Sequence, residues 1–272
     1  MLRITRVLVV TLATALVIAL ASEVSAQGFS AAPIKPRPWG RVSFFTNSSD
    51  VTVTDGTNSS FTELTTTFTY QLPETDDNGL DYGLDLRRSQ TPGTPRPNRT
   101  SIYEAFVGAR LSDGRVRLRG GHMWLTDVGS HGALAGGLLE LKQRRLLPED
   151  GRVRVGLFGG LEPQILDTGY SPDIVKLGGY AAYDGANARK HSVGYVMVKN
   201  GSTVERSVAT ASNFLPIGRK FVLYQSGEYD VQAPAGQGHR GLAYLFSNLR
   251  LTPASRLEVQ GTYNRGRAID AR

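Results

Sequence analysis

The 272-residue chain contains no cysteine, which excludes disulfide bonds, thiolate metal centres and cysteine nucleophiles. Histidine is also scarce, and none of His122, His131, His191 and His239 stands at a metal-ligand spacing from another. No Gly-x-Ser-x-Gly nucleophile motif is present. We therefore predict no metal site and no cofactor, and we do not expect an enzyme.

Long apolar runs are missing everywhere except at the N-terminus. There, Arg3 and Arg6 precede an apolar run from Val7 to Ala21, and small residues follow at Val24–Ala26. This order predicts a cleaved secretory signal peptide over residues 1–26. A single membrane anchor is the alternative, although the run is shorter than the roughly 20 residues that a spanning helix needs. Beyond the run, no stretch reaches 18 consecutive apolar residues, so we predict no transmembrane helix there.

After a proline-rich leader at 27–38, the sequence turns to a period of two from Trp39 onward. Alternation of this kind predicts half-buried strands with one apolar and one polar face. In one segment the apolar set is Leu80, Tyr82, Leu84 and Leu86, and the alternate set is Asp81, Gly83, Asp85 and Arg87. Paired glycines inside several strand-like segments indicate tight curvature or room for bulky side chains.

Counting such segments predicts about thirteen strands. They lie near 39–46, 61–72, 79–88, 100–111, 115–125, 133–144, 152–162, 173–184, 190–199, 205–214, 220–229, 241–251 and 256–264. Most are longer than the five or six residues of an ordinary soluble strand and match the roughly 9 to 11 residues that a tilted strand needs to cross a bilayer. We also expect short turns at the even-numbered junctions and longer loops at most odd-numbered ones.

Alternating strands, a signal peptide and the lack of cysteine together resemble the broad class of bacterial outer-membrane β-barrel proteins. Aromatic residues near strand ends would form the girdles of that class: Trp39, Tyr70, Tyr103, Trp124, Tyr183, Tyr229 and Tyr263. The resemblance covers residues 39–264 and implies one domain over 39–272, an all-β, up-and-down antiparallel transmembrane barrel of about 12–14 strands. The sequence departs from this class in two respects: the strand count is odd, and the chain lacks the terminal aromatic residue that is usual in the class. Either the count is wrong by one strand, or the sequence is a fragment of a longer protein.

Arginines supply the candidate site. If the alternating residues Val116, Leu118, Val153 and Val155 face lipid, five arginines face the lumen: Arg115, Arg117, Arg119, Arg152 and Arg154. The inward assignment is favoured because an arginine facing lipid near the midplane costs roughly 2–4 kcal/mol. Arg110 and Lys142 are expected nearby. Such a basic lumen would attract anions. The alternative, which the sequence favours slightly, is that the arginines pair with Glu104, Glu140, Asp81 and Asp85 and fill the interior.

The net charge of +7 suits anionic lipid head groups or small anionic solutes, or is simply a solvated basic surface. We expect membrane lipid as a partner and no nucleic acid. The resemblance implies a protein of the outer membrane, either a porin-like passive channel with a lumen favouring anions or a surface protein with another role. The alternative, from a different class, is a secreted or periplasmic soluble β-rich protein that binds a carbohydrate or a protein.

Overall fold

The computed structural model describes residues 37–52, 58–72, 77–93, 97–143, 151–163, 169–218, 220–232 and 240–266. The predicted signal peptide and all but two residues of the predicted leader lie outside these residues. The strands are Trp39–Thr52 (β1), Asn58–Gln71 (β2), Gly79–Gln90 (β3), Arg99–Leu111 (β4), Val116–Trp124 (β5), Ala133–Lys142 (β6), Arg152–Pro163 (β7), Tyr170–Asp184 (β8), Lys190–Asn200 (β9), Thr203–Ile217 (β10), Phe221–Gln232 (β11), Gly241–Ala254 (β12) and Leu257–Gly266 (β13).

All thirteen strands form one up-and-down antiparallel sheet in sequence order. This confirms the predicted all-β class, the antiparallel meander and the strand count. Within the described residues, β1 pairs only with β2 and β13 pairs only with β12, so the sheet is open. Strands run from 9 residues in β5 to 15 in β8 and β10.

The two faces of the sheet differ in polarity. On what we call the outer face, Leu118, Leu139 and Val155 are 43%, 39% and 46% exposed. Their sequence neighbours on the opposite, inner face include Arg117 and Glu140, which are only 4% and 1% exposed. Because successive side chains of a strand point to opposite faces, the predicted alternation sorts apolar groups to the outer face and charged groups to the inner one.

The glycines on the inner face indicate that the sheet is strongly curved. A Cβ built on Gly136 would lie 2.1 Å from the carbonyl oxygen of Gly159, and one on Gly160 would lie 2.3 Å from that of Ala135. The adjacent Gly137, on the outer face, would place its Cβ 3.8 Å from its nearest neighbour. The inner face is therefore the concave one, because at these inner-face glycines, unlike at Gly137, the neighbouring backbone approaches too closely for a side chain.

The link between β5 and β6 lies over the inner face. We call residues 125–132 the strap; it contains a short 3₁₀ segment, Thr126–His131. The strap contacts β8, β9, β10 and β11. Val128 at its centre is fully buried, and a Cβ on Gly194 of β9 would touch it. The strap thereby spans part of the concave space.

The other links follow the expected alternation only in part. Gly201 and Ser202 make a tight turn at an odd-numbered junction, between β9 and β10, whereas β6 and β7, at an even-numbered one, are separated by 143–151. Strand β1 ends at Thr52 and β2 begins at Asn58, so both reach well into the link expected between the predicted strands 39–46 and 61–72. In the described part of the chain, no helix has the length and apolar character needed to cross a membrane.

Candidate functional site

A cluster of charged side chains occupies the inner face between β3 and β8. We call it the ion-pair cluster. Its cations are Arg117, Arg119, Lys142, Arg152 and Arg154, and its carboxylates are Asp81, Asp127, Glu140 and Asp184. Alternation along β5, β6 and β7 places these groups on one face, and the antiparallel register aligns them across strands: Arg117 lies opposite Glu140, and Lys142 opposite Arg154.

Glu140 stands at the centre of the cluster. Its carboxylate lies 2.7 Å from Nη1 of Arg154, 3.3 Å from Nη1 of Arg117 and 3.5 Å from Nζ of Lys142. The hydroxyl of Tyr180 donates a further hydrogen bond to Oε2. A carboxylate this deeply buried is tolerated because three cations and a hydroxyl replace its hydration.

Arg154 is the matching centre on the cationic side. Its guanidinium makes paired hydrogen bonds to Asp184, at 2.6 and 3.3 Å, and to Asp127, at 2.9 and 3.2 Å, in addition to its contact with Glu140. The planar fork of arginine suits such two-pronged contacts with carboxylates. Arg154 thereby ties β6, β7, β8 and the strap together.

A second arm of the cluster reaches β3. Arg119 donates to both carboxylate oxygens of Asp81, at 2.7 and 3.1 Å, and Nε of Arg117 lies 3.0 Å from the same carboxylate. The guanidinium of Arg119 also lies over the ring of Phe106, 4.2 Å from its centre, which is a cation–π contact. The side chain of Arg119 remains 19% exposed, so it borders open space.

The strap is held by charge at both ends. Asp127 binds Arg154 and, at 3.1 Å, Lys190. At the far end, the Ser130 hydroxyl donates to Glu228 of β11, and Nε2 of His131 lies 3.3 Å from the same carboxylate. Burial of Val128 between these ends adds an apolar anchor. The strap is therefore an integral part of the inner face.

The structure brings together four of the five arginines that the sequence singled out: Arg117, Arg119, Arg152 and Arg154. The fifth, Arg115, lies outside β5 in the preceding turn, where it is exposed and donates from Nε to the carbonyl oxygen of Ser112 at 3.0 Å. Lys142, expected nearby, belongs to the cluster, and Arg110, also expected nearby, lies opposite Arg117 and donates to the carbonyl oxygen of Leu80.

The four clustered arginines are paired with carboxylates. Ion pairing of this kind was one of the two arrangements that the sequence left open, the other being a lumen that attracts anions. Asp81 and Glu140 were among the expected partners, whereas Glu104 accepts instead from Gln71 at 3.2 Å. Sequence reasoning missed Asp127 and Asp184. Asp184 is the last inner-face residue of β8, so the alternation along that strand could have identified it. Asp127 lies in a link between strands, and no periodicity predicts the path of a link.

Sequence reasoning also missed an apolar cluster next to the strap. Its buried members are Met123, Leu125, Val128, Leu134, Leu138, Phe158, Tyr180, Ala182, Val196 and Val198. The sequence did contain one indication of this cluster, at Val196 and Val198. The segment from Val193 to Val198 has apolar residues on both faces, unlike the cleanly alternating strands. Apolar residues on both faces of one strand fit a sheet that contacts an apolar segment on its inner side as well.

A cavity of about 410 Å³ adjoins the cluster on the inner face. Its walls include Arg119, Glu104, Arg152, Lys190 and residues of the strap. In the described residues, no group of three or more His, Asp or Glu side chains is placed to hold a metal ion. The cavity is thus a polar space that a water-soluble molecule or ion could occupy.

No protein-family model matches this chain, and the search of curated proteins returned no match.

Proposed function

We propose that the chain is an exported outer-membrane β-barrel whose outer face contacts lipid and whose inner face lines a porin-like passive route. The observation that carries this proposal is the inverted polarity of the sheet, in which apolar residues such as Leu157, 62% exposed, point outward while Arg117 and Glu140 are buried. In water this arrangement is unfavourable, because it exposes apolar rows and buries charges. In a bilayer the same arrangement removes the apolar rows from water.

Two further features support a membrane environment. All thirteen strands have at least nine residues, enough to span the hydrocarbon layer when tilted. Tyrosines near strand ends are exposed on the outer face, at Tyr103, Tyr183, Tyr229 and Tyr263, where an aromatic girdle would contact the interfaces. Closure of the open sheet into a barrel is part of the proposal, because a bilayer offers no hydrogen-bond partners to an exposed strand edge.

The competing function is a secreted soluble β-rich binding protein. That class buries its apolar rows and exposes its charged ones, as in a sandwich or a soluble barrel with one solvated face. The burial of Arg117, Glu140 and Arg154 on the face opposite the apolar rows argues against it.

Cysteine labelling tests the lipid-facing assignment, because the chain has no native thiol. In outer-membrane fragments, we expect Leu118→Cys to react with a charged maleimide about tenfold more slowly than Arg115→Cys, since the reagent needs water and a thiolate. Both positions are exposed in the structure, so shielding by lipid is what separates them. Equal rates in membranes would contradict the proposal, and denatured protein, in which both thiols react, controls for intrinsic reactivity.

Among the described residues, five cations and four carboxylates line the cavity of the proposed channel, so we expect a modest preference for anions. Arg117 and Arg154 are unsuitable for testing it because both are buried in ion pairs. Arg119 and Lys190 border the cavity, and their side chains are 19% and 37% exposed.

The measurement is the reversal potential in planar bilayers under a salt gradient. We expect Arg119→Gln combined with Lys190→Gln to shift the potential towards that of a non-selective pore, because fixed charge at the route attracts counter-ions. The control is Arg88→Gln with Arg250→Gln, which removes the same charge at exposed positions outside the cavity walls. If the two double variants have the same reversal potential, the cavity is not part of the conduction route.

A further inference from the structure

The outer face carries a polar row in the middle of an apolar surface. Across β10, β11 and β12 the row is Asn213, Gln225 and Ser247, which are aligned directly opposite one another. It continues to His191 of β9, opposite Asn213, and to Tyr263 of β13, opposite Ser247. One adjoining row is Leu215, Leu223 and Leu249, and the other is Ala211, Gly227 and Leu245. We call these three rows the outer patch.

The outer patch is on the same side of the sheet as the exposed apolar residues. Ala211 of β10 lies opposite Val193 of β9, which is 59% exposed, and one register step away Ala209 lies opposite Tyr229, which is 51% exposed. The polar row therefore shares the face that the proposed function places in lipid, and the inference rests on that proposal.

Lipid is a poor environment for this row. Carboxamides carry two N–H donors and one carbonyl acceptor each, and hydrocarbon can satisfy none of them. In the described residues, one hydrogen bond of 3.4 Å joins Nδ2 of Asn213 to Oε1 of Gln225, which engages only part of that capacity. Polar groups at membrane depth are instead expected to face protein.

Small side chains beside the polar row leave space for a partner. A groove of about 500 Å³ runs from β7 to β12 over part of the patch, with walls that include Ala181, Val193, Ala211, Gly227 and Leu245. Small residues at membrane interfaces allow two backbones to approach closely, while polar side chains hydrogen-bond across the interface. The groove and the polar row are therefore complementary parts of one contact surface.

We infer that the outer patch is the interface for a second copy of this chain, arranged about a two-fold axis at Gln225. A two-fold axis there would reverse the row, so that Gln225 faces its own copy and Asn213 faces Ser247 of the other copy. The row is complementary to itself under that rotation. The two Gln225 carboxamides can each donate to and accept from the other, and the Ser247 hydroxyl can donate to and accept from the Asn213 carboxamide. This self-complementarity selects a second copy over an unlike partner.

The first test is the oligomeric state of the full chain in mild detergent, followed by sedimentation across a range of protein concentrations. We expect the native protein to dimerise and Asn213→Leu with Gln225→Leu to raise the dissociation constant by about tenfold or more, through loss of the interfacial hydrogen bonds. The matched control is Asn248→Leu with Gln260→Leu, which makes the same chemical change on the inner face of β12 and β13. We expect this control to dimerise like the native protein.

The second test places the axis. In membranes under mild oxidation, we expect Gln225→Cys to form a disulfide-linked dimer, since its two copies meet at the axis, and Leu157→Cys on β7 to remain monomeric. A monomeric native protein, or equal weakening by both leucine pairs, would overturn the inference. Neither result affects the proposed function. That proposal has its own test, because it fails if Leu118→Cys is labelled rapidly in membranes.

Discussion

Replacing Glu140 with glutamine is expected to lower the free energy of unfolding by about 3–5 kcal/mol, the cost of removing one partner from a buried ion pair. The carboxylate lies within 3.5 Å of Arg154, Arg117 and Lys142 and is 1% exposed. Glutamine keeps the shape of the side chain but removes the charge, so three cations lose their shared counter-ion in a water-poor site. Unfolding by urea in detergent micelles, followed by tryptophan fluorescence, measures the change.

The control for Glu140→Gln is Glu258→Gln on β13, where the same charge is removed from an exposed side chain. We expect its effect to stay within about 0.5 kcal/mol, as for most surface substitutions. Adding Arg117→Gln to Glu140→Gln should recover part of the loss, because the pair is then removed together. A Glu140→Gln protein as stable as the native one would show that the cluster carries little of the fold's stability.

The same cluster shows how far the sequence alone could lead. Alternation along β5 and β7 predicted that Arg117, Arg119, Arg152 and Arg154 share a face, and the strand count and antiparallel order followed from the same period of two. These are local properties, since the side chain of every second residue must point the same way. Arg115 departs because β5 begins one residue later, at Val116, and register is least certain at a strand end.

What the sequence could not supply is long-range geometry. The strap crosses from β5 to Glu228 of β11, a contact between residues 98 positions apart in the case of Ser130. No periodic signal encodes such a path, because a link is held by individual side-chain contacts instead of a repeating ladder. Likewise, the charge of Arg154 was evident from the sequence, but its neutralisation by Asp127 depends on where the strap lies.

The curvature of the sheet, by contrast, depends on glycines that the sequence shows directly. Replacing one of them should have the second large effect on stability. We expect Gly136→Ala to destabilise the protein by about 1–3 kcal/mol, the usual cost of forcing extra atoms into a packed site. A methyl group there would meet the Gly159 carbonyl at 2.1 Å, so β6 and β7 would have to separate or flatten. Gly137→Ala is the matched control, because its methyl would lie 3.8 Å from its nearest neighbour, on the outer face of the same strand.

The contrast between these two adjacent alanines isolates curvature from strand propensity. Both substitutions replace glycine by alanine in the interior of β6, so any general gain from the lower backbone entropy of alanine in the unfolded chain applies to both. Urea unfolding in micelles should therefore separate them by the steric cost alone, with Gly137→Ala at or slightly above native stability. If the two variants unfold together, the close approach of β6 and β7 does not constrain the sheet. If Gly136→Ala alone is weakened, the concave inner face that holds the ion-pair cluster depends on strands too close together for a side chain at that position.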